Sequence, residues 1–397
     1  MKKELLEKIG KLHEAEKYQE IIDLIEALPA ERLNTELIGQ LARAYNNVEN
    51  YAKGLELLKS IEFEEGNSFQ WNWRAGFSYF FLEDYINAKK HFLKAYELDP
   101  DDEDVCDFLI GVYLSLAKIE DEKGNSEKAL EYALESRKYS YDEKGIMEAD
   151  SFLAWLYNKY KEYTKAEEIL RKQLARNKDD KWTLSELAYS LSGQGKYEEA
   201  IEKFEYVLSL EVEDEGNLEF IYSQLGWCYR QLEDYEKALE YYLKGYEKDN
   251  RFKEDTYLLS DIGWLYDRFG KYENGEKFLS KAYELGERNR WIHMELGECL
   301  TRLGRYEEAI KKLLKSRELY IEEGKLPYSE DLELAFCYAA LKDKEKAEEH
   351  MKLSLDALGA YAESEEYLKK RFTEIREMIN SISNSPQFFS KFKKFFS

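Results

Sequence analysis

The chain has 397 residues, of which 36% are charged, 44% hydrophobic and only 4 are proline, a composition rich in helix formers and poor in the breakers that punctuate sheets. A formal net charge of −23 at pH 7 repels polyanions and argues against nucleic acid as a partner. No stretch approaches the roughly 20 apolar residues that cross a bilayer, and Met1–Leu24 mixes Lys2, Lys3, Glu4 and Glu7 into its apolar residues, unlike a secretion signal; the expectation is an all-α protein of the cytoplasm.

In chain order, residues 1–34 predict an irregular helix pair, Lys2 to Leu28. Residues 35–360 then repeat one pattern every 34 to 38 residues over most of their length, with no Pro/Gly/Ser-rich linker to divide them. The clearest copy, Ala75–Pro100, carries a small residue (Gly76), an aromatic three later (Tyr79), a turn tyrosine (Tyr85), then Ala88, Phe92, Ala95 and Pro100. Two antiparallel helices approach closely only where one presents Gly or Ala and the other fills the gap. That small slot recurs at Ala42, Gly76, Gly111, Ala154, Ala188, Gly226, Gly263, Gly297 and Ala335, and in eight of the nine copies a second small residue follows twelve positions on. The turn tyrosine recurs as Tyr51, Tyr85, Tyr163, Tyr197, Tyr235, Tyr272 and Tyr306. In the Gly111 copy the second small residue is Ala129, eighteen positions on, so extra residues around Lys118–Asn125 lengthen its first helix or its turn. Polar connectors at Glu211–Asn217 and Glu322–Leu326 stretch two other copies.

This pattern resembles the tetratricopeptide-repeat family, whose W/L-x-x-L-G-x-x-Y…A-x-x-x-F…A…P signature is matched by LGWCYRQLEDYEKALEYYLKGY at 225–246 and LGECLTRLGRYEEAIKKL at 296–313. The resemblance implies a right-handed superhelical α-solenoid of about ten helix-turn-helix units, with first helices lining the concave face and second helices the convex one. The pair in 1–34 would open the array, nine repeats would fill 35–360, and 361–397 would hold a capping helix near Ser364–Ile382 and a tail.

On that geometry the concave surface falls to one stripe of each first helix, six and three residues before the small slot and one, four and five after it. One after the slot stand Arg43, Phe77, Val112, Trp155, Tyr189, Trp227, Trp264, Glu298 and Phe336. Six before it come Trp182, Phe220, Tyr257 and Trp291, and three before it Ser151, Ser185, Ser223 and Ser260. Arg230, Arg268 and Arg302 sit at the far end of the stripe, while Trp73, Phe77, Phe80 and Phe81 cluster in the N-terminal part. Rings and arginines are the residue types that dominate binding hot spots. The expected partner-binding residues are therefore Trp73, Phe77, Phe81, Trp155, Trp182, Tyr189, Phe220, Trp227, Arg230, Tyr257, Trp264, Arg268, Trp291 and Arg302, holding a peptide or partner helix with apolar side chains and carboxylates for the arginines. Packing of neighbouring rings between repeats is the competing use of the same residues, and the two coexist readily.

Catalytic chemistry finds little support. There is no Gly-rich phosphate loop, no G-x-S-x-G elbow and no paired His or Cys spacing, and neither a cofactor nor a metal is expected. Cys106, Cys228, Cys299 and Cys337 lie far apart within helical stretches and read as buried, reduced thiols. The expected function is a non-enzymatic scaffold or adaptor. A peripheral membrane-associated assembly factor using the basic aromatic tail, Pro386–Ser397, is the alternative, and an enzyme assembled on the scaffold is the remaining one.

Overall fold

The computed structural model describes residues 2–210, 218–248, 253–286, 289–358 and 366–382. All regular structure among them is helical, apart from two single 3-10 turns. The chain falls into two units divided between Leu210 and Glu211. The first holds α1 (Lys2–Glu14), α2 (Tyr18–Glu26), α3 (Thr35–Asn47), α4 (Tyr51–Ser60), α5 (Glu62–Glu65), α6 (Phe69–Phe81), α7 (Tyr85–Leu98), α8 (Glu103–Glu122), α9 (Ser126–Ser136), α10 (Glu143–Lys159), α11 (Tyr163–Leu174), α12 (Lys181–Gly193) and α13 (Tyr197–Ser209). The second holds α14 (Leu218–Gln231), α15 (Tyr235–Lys248), α16 (Thr256–Arg268), α17 (Tyr272–Leu285), α18 (Arg290–Arg302), α19 (Tyr306–Glu322), α20 (Tyr328–Ala340), α21 (Lys344–Leu358) and α22 (Glu366–Ile382). The expected tail, Pro386–Ser397, and the connector at 211–217 lie outside the described residues.

Local signals set the helix ends. Asn34, Ser68, Asp102, Asp142 and Asp180 each accept a hydrogen bond from the backbone N–H three residues on, opening α3, α6, α8, α10 and α12. First helices close on a residue in the left-handed region two positions before the turn tyrosine: Glu83 at φ 59°, Glu233 at φ 60°, Gly195 at φ 80°. The next residue's N–H then reaches back five positions to a helix carbonyl, as from Asp84 to Tyr79 (2.9 Å) and from Asp234 to Tyr229 (3.0 Å), the wider of the two bonds of a Schellman ending. The tyrosine itself begins the second helix in α4, α7, α11, α13, α15, α17 and α19.

Pairing follows the small slots. A Cβ added at Gly76 would lie 2.9 Å from the Phe92 ring, and one at Gly297 would lie 2.7 Å from Leu313 Cγ. The gap left by the small residue is thus filled from sixteen positions on, by a ring at Phe92 and Tyr242 but by leucine at Leu279 and Leu313. The Gly111 copy departs as its sequence implied: α8 runs for 20 residues, and the atoms facing Gly111 belong to Phe80 of the preceding repeat.

Repeat is joined to repeat by a polar contact at a fixed place, from four residues after one small slot to two after the next. Ser78 donates to Asn46 (3.0 Å) and Ser190 to Asn158 (2.6 Å) in the first unit. In the second unit Thr301 Oγ1 lies 3.2 Å from Cys337 Sγ, while the Cys299 thiol donates to the Tyr272 carbonyl of the preceding repeat (3.3 Å). The cysteines are buried and unbridged, and burial pushes the Cys228, Cys299 and Cys337 thiols up to about 12, so they are inert core residues.

Within each unit the first helices also touch one another across repeats, α3 to α6 to α8 to α10 to α12, and α16 to α18 to α20 to α22. The last of these, α22, packs on α20 and α21 in the position of a further first helix and buries Phe372, Ile375 and Ile379 in the same core as Leu313 and Leu334.

Candidate functional site

The row of first helices places the expected binding residues in two distinct settings. In the first unit, Trp73, Phe77 and Phe81 stand four residues apart on α6 and share one face. Trp73 stacks on Phe77 with centroids 5.3 Å apart, Phe77 meets Phe81 at 4.7 Å, and Phe81 stacks on Tyr51 of α4 at 4.8 Å. Phe108 of α8 meets Phe77 edge-on at 5.4 Å, so the rings link three successive repeats. A cleft of 320 Å³ opens beside them, with Trp73, Phe77, Arg43 and Arg74 on its wall. Further along, Trp155 lies beside Phe152 (5.5 Å) under the Lys159 ammonium (5.0 Å), Tyr189 meets Tyr163 (6.2 Å), and Trp182 occupies the first turn of α12 with 37% of its surface exposed.

In the second unit the rings are interleaved with charge. The Arg230 guanidinium lies 4.8 Å over Trp264 and pairs with Asp261 at 3.1 Å. Arg268 lies 4.5 Å over Tyr235 and 5.4 Å from Trp264, so the indole is flanked by two cations. Arg302 pairs with Asp267 and with Glu298 (3.1 Å), and Arg371 pairs with Glu333 (2.7 Å) while lying 3.7 Å over Phe336. Burial, and then the charge of Glu298 and Asp267, raises Glu295 toward neutral pH; burial, and then the charge of Glu333, does the same to Glu298. Tyr257 and Trp291, in the first turns of α16 and α18, are 74% and 59% exposed, whereas Phe220 and Trp227 of α14 are half-buried.

Both uses of the rings are visible. The residue one after the small slot packs on the turn tyrosine of the preceding repeat in Phe77 with Tyr51 (6.1 Å), Tyr189 with Tyr163 (6.2 Å), Trp264 with Tyr235 (5.6 Å) and Phe336 with Tyr306 (6.4 Å). Each of these rings is a fixture between repeats that keeps part of its surface open. Of the three arginines expected to meet a partner's carboxylates, Arg230 and Arg302 already hold carboxylates of this chain, while Arg268 forms no ion pair among the described residues. The sequence reading passed over the position two before the small slot, which supplies Arg74, Asp261, Glu295 and Glu333. Its spacing of three to the ring-bearing slot puts it on the same face, and that spacing was the available signal.

No group of His, Cys, Asp and Glu among the described residues is arranged to hold a metal ion, and no described helix is long and apolar enough to cross a membrane. Helix pairs in register, close approach at Gly or Ala and a turn tyrosine opening most second helices define an α-solenoid of tetratricopeptide type. Models of the tetratricopeptide repeat match residues 72–102, 179–251 and 260–321, so the chain carries tetratricopeptide repeats over those stretches, a repeat that generally mediates protein–protein interaction. Solved structures similar to it include PilF of Pseudomonas aeruginosa (20% identity, 57% of this chain and 97% of that one, TM-score 0.48). YrrB, a protein of this repeat type with an unusual peptide-binding site, is another (19% identity, 52% and 97% covered, TM-score 0.43). A third is a tetratricopeptide repeat protein from Parabacteroides merdae (17% identity, 67% and 98% covered, TM-score 0.42). No curated protein sequence matches the chain significantly.

Proposed function

We propose that the chain is a non-enzymatic scaffold of the cytoplasm that binds a peptide or partner helix along the exposed face of its first helices. The observation that carries this reading is the pair of open rings, Tyr257 and Trp291, on successive first helices beside the Trp264–Arg230–Arg268 cluster. Open aromatic surface next to ordered guanidiniums offers area at low entropic cost together with polar groups that fix orientation. Glu295 and Glu298, half-buried on α18, add polar groups to the same surface: burial and the neighbouring carboxylates favour their protonated forms, which donate as well as accept hydrogen bonds.

The test is affinity capture with the full chain against a Tyr257→Ala/Trp291→Ala variant. Because both rings project into solvent, the variant is expected to lose the captured partner while its melting temperature stays within about 1 °C of the parent. Trp227→Ala/Trp264→Ala is expected to lose capture and also to melt lower, since Trp264 packs between repeats. Unchanged capture by the Tyr257/Trp291 variant rejects this surface.

A further inference from the structure

Three successive first helices of the second unit carry a carboxylate two residues before the small slot: Asp261 of α16, Glu295 of α18 and Glu333 of α20. Two of them are held by a guanidinium from a neighbouring first helix. Arg230 of α14 pairs with Asp261 (3.1 Å) while lying over Trp264, and Arg371 of α22 pairs with Glu333 (2.7 Å) while lying over Phe336. Glu295, between them, makes no ion pair or hydrogen bond with any described residue. Arg302 of its own helix is taken by Asp267 and Glu298, and Arg268 lies over Tyr235 and Trp264 instead. Asp267, whose charge acts on Glu295, is only 7% exposed. Its Oδ2 accepts from Arg302, but its Oδ1 has no hydrogen-bond partner among the described residues.

The charges around Glu295 come from four helices: Glu298 and Arg302 of α18, Asp267 of α16, Arg230 of α14 and, through Glu298, Glu333 of α20. A half-buried carboxylate among others, without a cation of its own, either keeps its proton or waits for a counter-charge. Trp291, Glu295, Glu298 and Arg302 stand at i, i+4, i+7 and i+11 of α18, a single stripe. The exposed Trp291 ring is therefore one turn from the Glu295 carboxyl. We propose that a lysine or arginine side chain of a partner peptide fills this place, its cation on Glu295 and its alkyl stem, with an adjacent aromatic residue, on Trp291 and Tyr257. The sister repeats hold the same arrangement internally, a cation shared between a carboxylate and a ring at Arg230 and at Arg371. The proposal rests on the interaction reading above and names the partner's chemistry, opposite in charge to the carboxylates that the arginines alone suggested.

A phage-displayed library of random short peptides, selected on the full chain, tests it. Peptides with Lys or Arg beside an aromatic residue are expected to be enriched, Glu295→Gln to lose the basic bias, and Tyr257→Ala/Trp291→Ala to lose recovery. A selected peptide, capped and fluorescein-labelled, is expected to bind about tenfold more tightly than its twin with acetyl-lysine or citrulline at the basic position, the worth of one charge-assisted hydrogen bond. That ratio is expected to vanish in Glu295→Gln and to survive Glu247→Gln, which removes the same charge from the exposed surface of α15. Because the cation needs the ionised carboxyl, affinity is expected to rise from about pH 6.5 to about pH 8.5 in the parent and to stay level in Glu295→Gln. Enrichment without basic residues, or a ratio that survives Glu295→Gln, overturns the cation assignment and leaves the surface reading standing. Recovery of no peptide, or recovery that survives Tyr257→Ala/Trp291→Ala, overturns both.

Discussion

Glu295 and Glu298 of α18 are carboxyls whose protons the fold holds on to. Glu295 faces Glu298, Asp267, Arg302 and Arg230, and Glu298 faces Glu333, Arg302 and Asp267. With their folded-state affinity for protons raised above that of the unfolded chain, their stabilising contribution is complete below the ordinary carboxylate range and is lost as pH climbs through neutrality. The second unit is expected to melt higher at about pH 5.5 than at about pH 8.5, and Glu295→Gln to shrink that difference, in a thermal scan across pH. A melting temperature that rises with pH would contradict this. Spacing alone marked the face that Glu295 shares with the rings, not its charge, because the position two before the small slot holds Gln40, Arg74, Leu109, Phe152, Glu186, Gln224, Asp261, Glu295 and Glu333 in successive repeats. Its charges acquire meaning against partners in neighbouring helix pairs, such as Asp261 against Arg230 and Glu333 against Arg371. The rings were easier to read, since Phe77, Tyr189, Trp264 and Phe336 recur at one slot; that each also packs on a turn tyrosine follows only from the fold.

At the scale of the helix pair, the turn is where sequence and backbone disagree. Glu49, Glu83 and Glu233 occupy left-handed backbone at the position where Gly195, Gly270 and Gly304 sit in sister repeats without steric cost. Replacing each glutamate by glycine is expected to stabilise the protein by about 0.5–1 kcal/mol, the relief of left-handed strain less the added entropy of the unfolded chain. Chemical denaturation checks this, and a uniform loss across the three sites would contradict it. The last helix pair depends on α22 in a different way. Arg371 neutralises Glu333, which is otherwise buried, so Arg371→Ala is expected to cost about 3 kcal/mol by leaving that carboxylate without its partner. Arg371→Ala/Glu333→Gln is expected to recover part of the loss. The period and the tyrosine made these pairs legible in advance, whereas the left-handed glutamates left no mark because Glu carries no bias for that conformation.

For the molecule as a whole, stability is distributed over neighbours. Its buried clusters stay local, one around Phe92 and Leu109, another around Leu313, Leu334 and Phe372. Residues 1–210 and 211–397 form compact units each with cores of its own, so each fragment is expected to retain helicity and a cooperative melt by circular dichroism. A fragment that unfolds when separated would show that the cores are not self-sufficient.

The contacts that join repeat to repeat share a position but not a chemistry: serine on asparagine in the first unit, thiol on threonine in the second. Such couplings act as keyed connectors. A repeat cut from one unit and spliced into the other would set an asparagine against a thiol, or a threonine against a serine. The order of the modules is thereby written into the chain, and shuffling them would require recoding both halves of every connector.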